Sequence, residues 1–163
     1  MEGRFRYTKG RYSKDQIREI ILEKAEYKIL SLSEVWNNYL LWSYYADGHS
    51  GFVVGVQIKS NSNIKVRRIK YVDDFHLEEV NPESIFSMKH NSWKHEEEFR
   101  VLQYNYAEVN QFVDVKIKEL IIGKNANRDN ETKVNLLKSL VSKIMPEVEI
   151  RELSNAEIKE WID

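Results

Sequence analysis

The amino-acid sequence predicts an α+β fold, a single compact domain over 1–163 with a mixed or mainly antiparallel sheet and flanking helices. Three features lead there. Apolar residues recur at helical spacing in some stretches and alternate in others, so both kinds of element belong to one chain. Ser13 with Gln16 and Ser154 with Glu157 have capping-box spacing, in which a hydroxyl and a carboxyl or amide side chain satisfy the free amides of a helix start. No repeat, linker or low-complexity segment interrupts the 163 residues. That length suits one core burying about two-thirds of the surface that the unfolded chain exposes.

After the first capping box, Ile17, Ile20, Ile21 and Ala25 continue with helical spacing, which predicts a helix over 13–26. Ser33 is placed to cap a second helix through Trp36, Leu40, Leu41 and Tyr44, ended by Asp47–Gly48. "GFVVGVQI" reads as a strand in which Gly51 and Gly55 mark close backbone approach. Turn residues 60–63 lead into "IKVRRIKYV", whose apolar positions slip by one at Arg67–Arg68. A bulge there would keep both halves on the core.

Asn81–Pro82 supplies a cap and a first-turn proline for a short helix carrying Ile85, Phe86 and Met88. "EEFRVLQYNY" and "VKIKELIIG" follow as strands, the second ended by Gly123. Asp129 or Asn130 then opens a helix through Val134, Leu137, Val141 and Ile144, with Leu140 beside that stripe and Pro146 as its stop. "VEIREL" is a late strand, and the second capping box starts a last short helix. The expected core includes Trp42, Phe52, Val54, Phe99, Val101, Leu120, Ile122, Leu137 and Val141.

Composition narrows the function classes. Hydrophobic residues make up 42% and charged residues 31%, and no apolar run approaches the ~18 residues of a membrane span, so a protein without membrane partners is expected. The charged start lacks the apolar middle of a secretory signal, which points to the cytoplasm. Absence of cysteine removes disulfides, zinc–thiolate sites and thiol nucleophiles. A net charge of −1 argues against general nucleic-acid binding, which needs a concentrated positive field. Residues 1–12 interleave Arg4, Arg6, Lys9 and Arg11 with Phe5, Tyr7 and Tyr12, as single-strand binding surfaces do. A flexible or edge-paired arm is the reading preferred.

Two constellations could carry chemistry. Tyr45, Asp47 and His49 lie within five residues at a helix end, where backbone groups are unpaired and polar side chains can converge on a ligand. The same residues also suit a purely structural corner, since glycine and histidine are common at helix C-termini. In "WKHEEEFRVL", strand alternation places Glu96, Glu98 and Arg100 on one face, with Phe99 and Val101 on the other. Two nearby carboxylates can divide labour, one orienting a hydroxyl and the other stabilising developing positive charge. The competing reading is a solvated face with a Glu98–Arg100 pair of modest worth. His49, His76, His90 and His95 show no metal-ligand spacing, so no metal is expected.

Taken together, "SLSEVWNNYLLWSYYADGHSGFVVGV", "KHNSWKHEEEFRVL" and "IKELIIGKNA" resemble the bacterial domain-of-unknown-function 2971 family. The matching positions are Trp42, Tyr45, Ala46, Asp47, His49 and Gly51, then Lys89, Trp93, Glu96, Glu98 and Arg100, then Gly123, within about 29–150. The family's Glu-x-Glu pattern is similar to that of ADP-ribosyltransferases. The resemblance implies Glu98 as the catalytic carboxylate that holds the nicotinamide ribose and stabilises an oxocarbenium-like transition state, with Glu96 as its partner. It also implies ligand-binding roles for Tyr45, Asp47, His49, Arg100, Lys89 and Trp93, Tyr45 stacking on nicotinamide and His49 or Arg100 taking phosphate or ribose. NAD would be a substrate, and no cofactor is called for.

Family members occur near phage-defence and toxin-like genes, so the resemblance implies a nucleotide- or NAD-interacting protein of such a system, by ADP-ribosyl transfer or NAD cleavage. The alternative is a non-catalytic partner-binding protein, a defence regulator or a phage-encoded inhibitor. The chain departs from the family in its N-terminal part, where "MEGRFRYTKGRYSKDQ" replaces an aromatic-rich strand and an Asn-Asp-Pro turn. The departure implies a natural truncation, one half of a split protein completed by a protein partner or complementary N-terminal half, or an inactive relative that only binds. The usual aromatic before the first glutamate is His95, and "ILSLSE" lacks the family's common cysteine. If the two constellations work together, Tyr45 or His49 should border one cleft with Glu98.

Overall fold

The computed structural model describes residues 13–59, 63–74, 81–104 and 112–161. The arm over 1–12, the start of the turn at 60–62, and His76 lie outside them. The elements run α1 (Lys14–Ala25), β1 (Tyr27–Ser33), α2 (Tyr39–Tyr45), β2 (Phe52–Ile58), β3 (Ile64–Arg68) and β4 (Lys70–Val72). They continue with α3 (Pro82–Phe86), β5 (Met88–His90), a 3₁₀ helix (Asn91–Glu96), β6 (Glu98–Tyr104), β7 (Val115–Ile122), α4 (Ala126–Ile144), β8 (Glu149–Glu152) and α5 (Asn155–Glu160). The α+β class is as expected, with antiparallel and mixed sheets beside helices. The chain forms two compact units, each built from discontinuous segments: Met1–Glu34 with Ser60–Val113, and Val35–Lys59 with Asp114–Asp163.

In the first unit, β6 is the centre of an antiparallel sheet ordered β1-β6-β3, and its Val101 and Leu102 are fully buried. β1 corrects the sequence reading. Ser33 does not cap a helix but ends this strand opposite Glu98, its hydroxyl donating to the Glu96 carbonyl at 2.7 Å. Seven residues of pairing with a distant strand outweigh a local capping preference, a contest invisible to short-range pattern. Helix α2 starts later instead, where the Asn38 side chain accepts from the Leu40 and Leu41 amides at 2.9 and 3.2 Å.

The slip at Arg67–Arg68 also resolves differently from the expected bulge. The strand breaks at buried Ile69, after which β3 has paired with β6 and β4 pairs in parallel with β5. Both halves keep their faces by joining different sheets. At the start of the chain's described part, α1 has the expected Ser13–Gln16 capping box, yet buries none of its residues.

The second unit has a mixed sheet ordered β2-β7-β8, with β2 antiparallel and β8 parallel to β7. Alternate residues of "LII" serve two cores. Leu120 and Ile122 pack with Val134, Val141 and Val148 on the α4 side, while Ile121 packs with Trp42, Ala46, Leu153 and Ile158 on the α2 and α5 side. A strand covered on both faces reads as a continuous apolar run. Helix α4 begins at Ala126, earlier than expected, but its backbone leaves helical geometry at Asn130, so the expected start coincides with a kink.

Of the expected core, Trp42, Val101, Leu120, Ile122 and Val141 are buried, and Phe99 and Leu137 partly so. Phe52 and Val54 are corrections, 52% and 38% exposed. They sit on the sheet's edge strand, on the side where α4 packs against β7 and β8 instead. Among the described residues, no helix is long and apolar enough to cross a membrane.

Candidate functional site

The corner after α2 is built from three successive left-handed residues, Asp47, Gly48 and His49, with φ of 48°, 57° and 68°. Left-handed backbone costs a non-glycine residue about 1–2 kcal/mol, so surrounding contacts must hold it. They do so through the backbone. Gly51 N–H donates to the Ala46 carbonyl at 2.8 Å, Gly123 N–H to the Gly51 carbonyl at 2.9 Å, and Asn125 N–H to the His49 carbonyl at 3.0 Å. The Asn125 side chain adds a 3.0 Å bond to the Gly48 carbonyl.

Gly123 permits this crossing. A Cβ on it would stand 2.2 Å from the His49 carbonyl oxygen, a distance only glycine avoids. Close approach of two backbone segments therefore explains the glycine at 123.

His49 turns inward. Its ring lies stacked on Trp42, with centroids 5.9 Å apart and planes 2° from parallel, and contacts Tyr39 at 4.9 Å. Only 3% of the residue is exposed, and neither ring nitrogen has a hydrogen-bond partner. Burial, and then the positive charge of Lys124, holds its pKa below the ordinary histidine range, which keeps the ring neutral. It presents no nitrogen to phosphate. Tyr45 and Asp47 are exposed, so the three residues singled out together in the sequence divide between solvent and core.

The second constellation lies in the other unit. Glu98 and Arg100 alternate with Phe99 along β6 as expected, but Glu96 is not on that strand. It closes the 3₁₀ helix, and left-handed Glu97, with φ of 42°, turns its carboxylate back toward Glu98. Lys89 bridges them. Its Nζ donates to Glu96 and, at 2.9 Å, to Glu98 Oε2. Arg100 Nε donates to Glu98 Oε1 at 2.6 Å, and its Nη1 to the Phe86 carbonyl at 2.8 Å. Lys89 Nζ also lies 5.1 Å from the ring centre of half-exposed Trp93.

Two further groups meet Glu98. Ser31 on β1 gives Glu98 a further side-chain hydrogen bond, and the Tyr71 hydroxyl on β4 accepts from the Glu98 amide at 2.8 Å. Neither carries a local signal, because strand pairing alone brings them there. Burial raises the Glu98 pKa, but hydrogen bonds from Arg100, Lys89 and Ser31 outweigh it and leave the carboxyl below its ordinary range. For Lys89, burial is likewise overcome by bonds to the two glutamates, and its pKa is raised.

The result is a compact set of two carboxylates and two cations, with Glu96 and Glu98 only 5% exposed. Glu98 stays ionised at neutral pH, and both its oxygens are engaged. A cationic substrate centre would have to take the place of Lys89 or Arg100 to reach it. The cleft expected to join Tyr45 or His49 with Glu98 calls on both units, since the corner belongs to one and the charge cluster to the other. No group of three metal-ligating side chains occurs among the described residues. No family model matches the chain, and neither a curated protein nor a solved structure matches it.

Proposed function

We propose that this chain is a non-catalytic partner-binding protein that engages another protein through α2. The surface of that helix carries the reading. Tyr39 and Leu40 are exposed along with Tyr44 at 60% and Tyr45 at 68%, four large side chains distributed around a seven-residue helix that buried Trp42 anchors to the core. Exposed apolar patches mark interaction sites, and tyrosine offers large contact area at low entropic cost. Saturation of the Glu98 carboxylate by Lys89 and Arg100 favours a structural use of the charge cluster. A role as a defence regulator or phage-encoded inhibitor rests on the family resemblance.

The test compares wild type with the Tyr44→Ser/Tyr45→Ser double variant. Immobilised protein is exposed to host lysate, captured proteins are identified by mass spectrometry, and the interaction is rebuilt from purified components. Loss of binding at an unchanged melting temperature supports the reading. Equal binding by both proteins refutes it.

A second reading, nucleotide or NAD interaction with ADP-ribosyl transfer or NAD cleavage, is favoured by the convergence of Glu96, Glu98, Lys89 and Arg100 near the indole of Trp93. A thermal-shift screen against nucleotides and dinucleotides addresses it, because a specific ligand raises stability by mass action. A shift with NAD that disappears in Trp93→Ala, together with NAD turnover, would displace the binding-protein reading.

A further inference from the structure

The β2 edge lacks the charged residues found elsewhere in the fold. Its pairing with β7 shifts register between Gly55 and Val56, but the extra residue there, Lys118, belongs to β7, so β2 itself runs on without interruption. It pairs only with β7 among the described residues, and from Phe52 to Ile58 it carries neither a charged residue nor proline. Every other described strand carries at least one charge. The opposite edge of the same sheet, β8, reads Glu-Ile-Arg-Glu. Long uncharged edges are templates for further strand pairing, and proteins ordinarily blunt them with charge, proline or a covering element.

The neighbouring face is open too. Phe52 and Val54 point to the α4 side of the sheet, as their partners Ile122 and Leu120 do. On α4, Lys138 reaches Glu152 of β8, and Val134 and Val141 face the core. Helical rotation of about 100° per residue puts Leu140 and Ile144 on the flank away from Lys138, toward β2. Those two side chains are 45% and 69% exposed. Among the described residues, an unpaired edge therefore adjoins an exposed apolar face.

We propose that two copies of this chain associate through β2, antiparallel about a two-fold axis at Gly55. The two three-stranded sheets become one of six strands. In that register Phe52 lies opposite Ile58 of the second copy, Val54 opposite Val56, and Val53 opposite Gln57. No like charges meet, because the strand has none, and side chainless Gly55 sits at the axis. A second copy also meets both deficits at once: its β2 completes the edge, and the apolar flank of its α4 faces the joined strands from the other side. The closed two-fold leaves only the charged β8 edges outward. This surface lies across the sheet from α2, so it is independent of the partner proposed for that helix.

The full chain is tested by sedimentation equilibrium over a wide concentration range, as wild type and as Val54→Lys. The exposed position of Val54 allows folding of the variant, which circular dichroism verifies. Wild type is expected to reach a dimer and stop there, and Val54→Lys to raise the dissociation constant at least ~100-fold, matching a burial cost of about 3 kcal/mol for an unpaired charge. The chain has no cysteine, so a Phe52→Cys/Ile58→Cys variant provides a second measurement. Six residues of extended strand separate the two thiols too far for an internal disulfide. Oxidation should link the double variant into covalent dimers and leave each single variant monomeric on a denaturing gel. A wild type that stays monomeric, that grows beyond two copies, that pairs only with an added foreign strand, or that dimerises equally well as Val54→Lys overturns the proposal.

Discussion

Replacing Glu98 by glutamine keeps the shape of the side chain and removes one charge from a cluster of four. Removing one partner of a fully buried ion pair costs about 3–5 kcal/mol, because the other charge is left uncompensated. Here the cations are not fully buried, with side chains 21% and 18% exposed for Lys89 and Arg100. Lys89 also keeps Glu96, and Arg100 keeps the Phe86 carbonyl. The expected loss is therefore lower, about 2–3 kcal/mol. In a chain of this size ~1 kcal/mol moves the melting temperature by about 2–4 °C, so a fall of roughly 4–12 °C should appear in thermal melts followed by circular dichroism.

The pH dependence adds a check. Folding holds the Glu98 carboxyl below its ordinary range. Its contribution is therefore fully present above the unfolded glutamate value near ~4.3 and is lost as pH falls through the lower folded value. Melting curves of wild type and Glu98→Gln should converge in acid. A variant that melts with wild type at neutral pH, yet loses NAD binding or turnover, would refute the structural assignment of this carboxylate and restore it to catalysis.

Two further substitutions probe the corner after α2. Gly123→Ala should destabilise the protein by about 3 kcal/mol or more, since the added methyl meets the His49 backbone rather than a movable side chain; a normal denaturant midpoint would mean that the two backbone segments can separate to admit a methyl group. His49→Phe keeps the stack on Trp42 while removing two buried nitrogens without partners. Below the ordinary histidine value near ~6.5 the unfolded chain takes up a proton that folded His49 resists, so wild-type stability falls with acidification and is complete above that value. Melts at neutral and mildly acidic pH should show a smaller acid loss in His49→Phe, and an equal loss in both proteins would exclude His49 as its source.

Local chemistry in the sequence was enough for the helix starts at Ser13 and Ser154, the start of the proline-led helix at Asn81, which ends before Met88 because that residue opens β5, and the strands around Val53, Val101 and Ile121, because caps and periodicity act within a few residues. It was also enough to single out Glu96, Glu98 and Arg100 as a group. Tertiary structure decided what those groups do. β1 was hidden because Ser33 has a plausible local role, and only pairing with β6 overrides it. Phe52 and Val54 alternate like core residues, but alternation cannot say whether a helix lies over that part of the sheet. His49 faces inward because Gly123, seventy-four positions later in the chain, lets two backbones cross beside it. Lys89, Ser31 and Tyr71 meet Glu98 from three separate strands, and that convergence turns an apparent surface charge run into a buried, neutralised cluster. Spacing along the chain reports which side chains share an element; burial and charge pairing depend on which elements meet, and that is settled by contacts between residues far apart in sequence.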